Sequence, residues 1–135
     1  MKKLIKVVGG IIENENNEIL CALRSPKMSL PNTWEFPGGK IEGDETLKEA
    51  IEREIKEELA CSVEFIDSFN DTTHEYDKFI VNLITVKCHL VTGIPTASEH
   101  SKLLWLHRSN LLSLKWAPAD IATVKRLISQ VSPNK

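Results

Sequence analysis

The sequence has few cysteines and no long apolar run. Its cysteines, Cys21, Cys61 and Cys88, are odd in number and widely spaced, which argues against a disulfide framework and against a zinc site. Each lies among apolar neighbours, so we expect buried free thiols. No apolar segment approaches the ~20 residues that cross a membrane. The opening MKKLIKVVGGII resembles a signal peptide but runs into Glu13 without a cleavage site. We therefore interpret it as a strand of a cytoplasmic protein.

The sequence also lacks a strong excess of charge of either sign. Its net charge is −2 over 135 residues, and 41% of the residues are hydrophobic. That composition is typical of one globular domain. Within it, the polar residues 74–78 predict a turn, and residues 110–114 predict a short helix capped by Ser109. It predicts neither a nucleic acid polymer nor a membrane surface as a partner. A polyanionic substrate would need local positive charge or a metal ion.

One stretch, Gly38 to Cys61, stands out from this ordinary background. It reads GGKIEGDETLKEAIEREIKEELAC and predicts a helix over residues 45–59 with Asp44 as its N-cap. At about 100° per residue, Glu54 falls on the face that carries the apolar side chains, with Glu57 and Glu58 on either side of it. The apolar residues of that face are Leu47, Ala50, Ile51 and Ile55.

Carboxylates turned toward the protein body must be paired. No cluster of Lys or Arg lies on that face, so a divalent cation is the economical partner, and oxygen ligands suit Mg²⁺ or Mn²⁺. A solvated helix rich in Glu and Lys is the alternative. The preceding Pro37-Gly38-Gly39 favours the metal interpretation, because it predicts a turn that brings backbone atoms close to the carboxylates.

The stretch resembles the Nudix box. The matching residues are Gly39, then Glu45 after five residues, then Arg53-Glu54-Ile55-Lys56-Glu57-Glu58 after seven more. Ala60 departs from the usual glycine and Cys61 from the usual aliphatic residue. Alanine in a left-handed helix end costs about 1 kcal/mol, or else it shifts the end of the helix.

The resemblance extends along the chain to the MutT and CTP pyrophosphohydrolase branch of the family. It includes an N-terminal hairpin, Trp34-Glu35-Phe36-Pro37, Glu99 and Ala117-Pro118-Ala119-Asp120. It implies an α+β fold, an α/β/α sandwich around a mixed sheet, as a single domain over residues 1–135. Its members hydrolyse nucleoside triphosphates to monophosphate and pyrophosphate, and several remove damaged nucleotides such as 8-oxo-dGTP.

The same resemblance implies the catalytic and metal-binding residues. Glu54, Glu57, Glu58 and Glu99, with the backbone carbonyl of Gly38, would hold Mg²⁺. Glu54 or Glu57 would take the proton of the attacking water, and the residues leave open which one does. Arg53 would orient the carboxylates by bidentate pairing, with an ordinary helix salt bridge as its alternative.

Substrate contacts are the remaining predictions. Arg24 and Lys78 are candidates for the phosphates, although Lys78 could be an ordinary surface lysine. Trp34 and Trp116 are candidates for stacking on a base, with packing as the alternative for each. An ionised Asp120 would only accept hydrogen bonds, so it favours 8-oxo-dGTP and cytosine triphosphates over dGTP. It could instead only charge the first turn of the last helix. The full set of predicted substrate-binding residues is Arg24, Trp34, Phe36, Gly39, Lys40, Lys78 and Asp120.

Two other functions remain open. One is hydrolysis of another nucleoside diphosphate-linked substrate, such as a nucleotide sugar. ADP-ribose-type members often carry a proline some fifteen residues past the box, and residues 62–94 contain none. The other is a non-catalytic nucleotide sensor, although such domains usually lose box glutamates that this chain keeps. A monomer and a homodimer are both compatible with the sequence.

Overall fold

The computed structural model describes residues 1–130, and residues 131–135 of the predicted domain lie outside that range. It contains a sheet of seven strands, two α-helices and a 3₁₀-helix. The strands are β1 Lys3–Glu13, β2 Glu18–Leu23, β3 Trp34–Glu35, β4 Gly38–Lys40, β5 Ser62–Glu75, β6 Phe79–Thr92 and β7 Lys102–His107. The helices are α1 Leu47–Leu59, the 3₁₀-helix Arg108–Ser113 and α2 Pro118–Ser129.

The sheet is mixed, as predicted. Its main path runs β3-β2-β1-β6-β5, with β4 paired to β1 and β7 paired to β2. Strands β1 and β6 are parallel, from Lys3 opposite Phe79 to Glu13 opposite His89, and the other pairings are antiparallel.

Each face of the sheet is covered by one helix. Alternation along β1 sends Val8 and Ile12 to the core beneath α1, and Ile11 to the core that contains the buried residues of α2. On the α2 side, the hydroxyls of Thr85 on β6 and Thr123 on α2 are 2.8 Å apart and buried. The predicted α+β sandwich is confirmed. Cys21, Cys61 and Cys88 are buried free thiols, also as predicted.

The ends of α1 differ from the sequence prediction. Helix α1 begins at Leu47, and its N-cap is Thr46 rather than Asp44. The Thr46 hydroxyl accepts from the backbone N–H of Glu49, and the Glu49 carboxylate accepts from that of Thr46, a capping box that an isolated Asp44 cannot form. At the other end, Ala60 has φ 54°, so the helix stops in the left-handed conformation despite the missing glycine.

The sequence predictions for the glycine turn and for two polar segments also differ from the structure. Gly38 and Gly39 belong to strand β4, and neither has a positive φ. They are required because of close contacts: a Cβ on Gly38 would collide with the carbonyl oxygen of Val8. Strand β5 continues to Glu75, into a segment expected to be a turn. The predicted helix over 110–114, with Ser109 as its cap, is a 3₁₀-helix from Arg108 that lacks a side-chain cap. Among residues 1–130, no helix is long and apolar enough to cross a membrane.

Candidate active site

A cavity of about 510 Å³ opens beside β1 and β6, a volume within the range of small-molecule sites. Alternate residues of these parallel strands form its apolar wall, because residues two apart on a strand share a face. Glu54 and Glu58 of α1 line one part of it, with Gly38–Lys40, and we call this the carboxylate side. Asp120 of α2, with Phe36 and Tyr76, lines the part that we call the aspartate side. The wall residues are Ile5, Val7, Phe79, Val81 and Leu83.

Glu54 is seated directly on the backbone of Gly39. It is 8% exposed, on the apolar face of α1 as predicted. A Cβ at Gly39 would collide with all three atoms of its carboxyl group. Burial, the largest effect, raises the pKa of Glu54. The glycine therefore leaves room for a buried carboxylate.

Arg53 connects the carboxylates of this region. Its guanidinium donates two bonds to Glu45, with Nε–Oε2 2.6 Å and Nη2–Oε1 2.9 Å. It also donates to Glu54 at 3.0 Å and to Glu57 at 3.1 Å, and to the backbone oxygen of Lys40 at 3.1 Å. Its hydrogen bond lowers the pKa of Glu45 to about 2. The structure thus contains the predicted bidentate pairing, with Glu45 as the partner.

The carboxyl group of Glu58 has no partner among the described residues. Its side chain makes no hydrogen bond or ion pair with the rest of residues 1–130, and burial raises its pKa. His100 lowers that pKa, while the carboxylates of Glu54, Glu99 and Glu35 raise it further. A group of acidic oxygens that disfavours its own ionised form is suited to a divalent cation.

The predicted ligands do not yet form a closed metal site. The described part of the chain has no group of three or more His, Cys, Asp or Glu side chains placed to hold an ion. Glu57 has a side chain 61% exposed and is bound to Arg53, and Glu99 is exposed on the loop before β7. Carboxylate and carbonyl oxygens are suitable ligands for a divalent ion. That these residues come together around one ion stays a prediction.

Asp120 is buried at the start of α2, 5% exposed. Its Oδ1 accepts a hydrogen bond of 3.1 Å from the backbone N–H of Phe36. Burial, followed by the charge of Glu35, raises its pKa well above the usual range of an aspartate. Burial at this position therefore disfavours the ionised, purely accepting form that the sequence prediction assumes, and the contact of Asp120 with a base stays a prediction. A protonated carboxyl both donates and accepts.

A partly buried network joins Arg24, Glu35 and His100 along the cavity. The Arg24 guanidinium donates to Glu35 at 2.7 Å and to Ser29 of the neighbouring loop. The second oxygen of Glu35 lies 2.7 Å from Nε2 of His100, whose Nδ1 is buried without a partner among the described residues. Arg24 is thus at the cavity as predicted, but its charge is already paired.

The structure does not bring every predicted substrate residue to the cavity. Trp34 packs against the core on the α2 side and is not among the residues that line the cavity, whereas its neighbours Glu35 and Phe36 are. Lys78 is exposed on the turn between β5 and β6, outside the lining. Trp116 is 6% exposed and stacks on Phe36 at 4.8 Å, a packing role. Phe36, Gly39 and Lys40 do line the cavity.

Sequence reasoning missed three residues that line the cavity: Glu35, His100 and Tyr76. Glu35 and His100 are far apart in the chain, and no spacing connects them. Tyr76 lies in a polar segment that was interpreted only as a turn. The single tyrosine of the chain was the available signal, because a buried phenol usually finds a partner.

Comparison with protein families matches residues 3–129 to the NUDIX domain. The chain is 35% identical over 130 residues to the 8-oxo-dGTP diphosphatase of Escherichia coli (strain K12), a match that covers 94% of this chain and 100% of that protein. It is 32% identical over 127 residues to the CTP pyrophosphohydrolase of the same strain, covering 94% and 93%. The solution NMR structure of the DNA mismatch repair protein MutT (family Nudix hydrolase) from methicillin-resistant Staphylococcus aureus 252 superposes with a TM-score of 0.78 at 51% identity, covering 97% and 100%. The likeness includes every segment that lines the cavity.

Proposed function

The chain belongs to the Nudix hydrolase family, and from that membership we propose that it hydrolyses a nucleoside triphosphate to the monophosphate and pyrophosphate. One observation carries the proposal: a cavity with Glu54 and Glu58 on one side, Asp120 on another and an apolar wall of β1 and β6 between them. A flat base fits the apolar wall and the aspartate side, and the phosphates then lie toward the carboxylate side. Relatives named for 8-oxo-dGTP and CTP hydrolysis support the same substrate class.

Members of the family generally depend on a divalent metal ion, and we propose Mg²⁺, with Mn²⁺ as a substitute. The proposed ligands are Glu54, Glu57, Glu58, Glu99 and the backbone carbonyl of Gly38. When bound, the ion neutralises phosphate charge and lowers the pKa of a bound water. The raised pKa of Glu58 supports the proposal, because a cation beside it would stabilise the ionised carboxylate.

The chain's own groups divide the remaining work. Glu54 or Glu57 accepts the proton of the attacking water. Arg53 is a positioning residue, because it holds Glu54 and Glu57 from one guanidinium while Glu45 anchors it. Arg24 can contact phosphate only by sharing its donors with Glu35 and Ser29.

Base selection is assigned to Asp120. The raised pKa of Asp120 in the free protein changes the reason for the expected base preference but not the preference itself. A base that presents an N–H, such as 8-oxoguanine at N7 or cytosine at its amino group, stabilises the ionised carboxylate. Guanine presents N7 and O6, which are acceptors, and must be met by the protonated form. We propose that 8-oxo-dGTP and cytosine triphosphates are cleaved ahead of dGTP, as in a protein that cleans the nucleotide pool and so limits DNA damage.

The proposal includes the wider predictions from the sequence. The chain forms one domain over residues 1–135, acts as a monomer or homodimer, and works in the cytoplasm, where nucleoside triphosphates are used.

A substrate panel tests the function. Purified protein is incubated with Mg²⁺ and 8-oxo-dGTP, dCTP, CTP, dGTP, ADP-ribose or a UDP-sugar, and pyrophosphate and monophosphate are measured. We expect pyrophosphate release from 8-oxo-dGTP, dCTP and CTP, and no release after the metal ion is removed by a chelator. Phosphate-monoester products from ADP-ribose alone, or full activity in excess chelator, would contradict the proposal.

A further inference from the structure

Tyr76 lies on the aspartate side of the cavity, in the turn that joins β5 to β6. Its ring packs against Phe79, with centroids 5.2 Å apart, and against His74 at 4.6 Å. Its hydroxyl accepts a hydrogen bond of 2.9 Å from the backbone N–H of Ala119. The side chain is thus held on two sides while it faces the cavity.

The reason for this contact is at the start of α2. The N-cap position is Ala117, which has no side chain able to accept a hydrogen bond, and Pro118 at the first helical position has no N–H. The next donor, on Ala119, therefore needs a partner from elsewhere, and Tyr76 supplies it. On the other side of the turn, Lys2 donates to the backbone oxygen of Tyr76 at 2.8 Å and to Glu75 at 2.6 Å.

The contact with Ala119 determines what the hydroxyl can offer a ligand. A phenol has one proton to donate, besides its acceptor lone pairs. The amide of Ala119 occupies an acceptor position, and within residues 1–130 no protein group receives the hydroxyl proton. That proton is left for whatever fills the cavity. Asp120, in contrast, accepts a hydrogen bond when ionised and can also donate one when protonated. By itself it therefore does not decide whether the facing group of the base must be a donor or an acceptor.

We propose that Tyr76 is a specificity-determining residue of this site: its hydroxyl donates to a ring carbonyl of the base beside the N–H that Asp120 accepts. The inference rests on the proposed nucleotide substrate and names a group that recognises it.

The pair selects a particular base edge, an N–H next to a carbonyl. In 8-oxoguanine the N7–H is flanked by O6 and O8, so both protein groups are satisfied. Guanine keeps O6 but has no proton on N7. Cytosine offers its amino N–H to Asp120 but has no carbonyl next to that group, so it satisfies only one of the two protein groups. Adenine presents its amino group where guanine has O6, so Tyr76 finds no carbonyl there, and its proton is left unpaired.

The test compares Tyr76→Phe with Thr123→Val. Tyr76→Phe keeps the ring and removes the hydroxyl, and with it the partner of Ala119. Thr123→Val removes a buried hydrogen bond of α2 to Thr85 at 2.8 Å, outside the cavity lining, so it is a control for a weaker attachment of α2. Binding of 8-oxo-dGMP, 8-oxo-dAMP, dGMP and dAMP is measured by calorimetry, kcat/KM is measured for the matching triphosphates, and Tm is measured for each variant.

We expect Tyr76→Phe to weaken binding of 8-oxo-dGMP by about five- to tenfold, the effect of one neutral hydrogen bond, while dAMP changes by less than about twofold. Thr123→Val is expected to lower Tm without changing the order of the nucleotides. A larger loss for 8-oxo-dAMP than for dGMP assigns O8 as the carbonyl, and the reverse assigns O6.

Two results would overturn the inference: equal losses for all nucleotides in Tyr76→Phe, or the same selective loss in Thr123→Val. Either would show that Tyr76 only supports α2. Hydrolysis of the triphosphates by the wild type is measured separately. Hydrolysis without a selective effect of Tyr76→Phe would contradict the inference about Tyr76 and leave the proposed function intact. Selective nucleotide binding without hydrolysis would contradict the proposed function alone, and a wild type that binds no nucleotide would contradict both.

Discussion

The two sides of the cavity are built in opposite ways. The carboxylate side comes almost entirely from one continuous stretch, β4 and α1, in which Arg53, Glu54 and Glu58 lie within two helical turns of one another. The aspartate side is assembled from three distant segments, contributed by Phe36, Tyr76 and Asp120. Local connectivity holds one side, and tertiary packing holds the other. Damage to the sheet or to α2 should therefore affect base choice before it affects the chemical step.

The largest effect is expected on the carboxylate side. Glu57→Gln removes a charge at which both metal binding and proton transfer are proposed, so kcat should fall by about 10²–10⁴-fold. Glu57 is exposed, so Tm should hardly change. Glu64→Gln, an exposed change on β5, is the matched control for loss of one negative charge. Activity within about twofold of wild type in Glu57→Gln would show that this glutamate is only a solvated residue.

Gly39→Ala tests whether the contact between β4 and α1 sets the position of Glu54. The added Cβ would displace the carboxylate seated on Gly39, and a misplacement of about 1 Å can reduce activity about 100-fold. Gly43→Ala is the control, since Gly43 has φ +51° and open space around it. It should lose about 1 kcal/mol of stability through left-handed strain and keep its kcat/KM. Equal activity losses in the two variants would mean that the contact is unimportant.

Asp120→Ala tests the aspartate side. We expect the preference of kcat/KM for 8-oxo-dGTP over dGTP to fall about tenfold, because a base-edge contact contributes about 1–3 kcal/mol of discrimination. Pyrophosphate release itself should continue. If all substrates lose the same factor while Tm falls, Asp120 is a structural residue of α2.

Asp120→Asn gives the pH dependence of stability. The folded-state pKa of Asp120 is raised above its unfolded value, so its contribution is fully present below the unfolded pKa of about 4 and is lost as pH rises through the folded pKa. Asparagine keeps the shape and does not ionise. The variant should therefore gain stability over wild type as pH rises from 4 toward 8, measured by urea unfolding. A constant difference across that range would show that Asp120 titrates normally.

The smallest effect concerns the end of the continuous stretch. Ala60 adopts φ 54°, so Ala60→Gly should raise the free energy of unfolding by up to about 1 kcal/mol, since glycine carries no penalty there. Ala50→Gly, inside the same helix and buried, should lower it by about 1 kcal/mol or more. Thermal unfolding decides the sign, and a destabilising Ala60→Gly would mean that the helix continues past this residue in solution.

The carboxylate side was predictable because helical spacing is visible in the sequence. Glu54 was placed on the buried face of α1 from periodicity alone, and the structure confirms it. Periodicity could not show where the other side chains of the helix point or which residue caps it. Glu57 lies outward against Arg53, and the capping residue is Thr46 rather than Asp44, because side-chain pairing decided between neighbouring candidates.

On the aspartate side, only residues that belong to the motifs of the family resemblance could be predicted. Asp120 was named, but the rise of its pKa is caused by burial and by the charge of Glu35, which sequence spacing cannot supply. Trp34 was expected at the base and instead packs against the core on the α2 side, because tertiary packing decides its position and a strand of two residues has no periodicity that could indicate it. Tyr76 was missed because its partner, Ala119, is 43 residues away.

The parallel pairing of β1 with β6 has a consequence for synthesis of the chain. Residues 3–13 find their partners only at residues 79–89, and joining such distant segments is slow because a long loop must close first. A nascent chain that ends before β6 already contains the complete acidic stretch, with α1 able to form through its own capping box. The sheet that must support that helix does not yet exist. The part of the site that is translated first is thus expected to be completed late in folding, and until then its apolar helix face is open to chaperones and to aggregation.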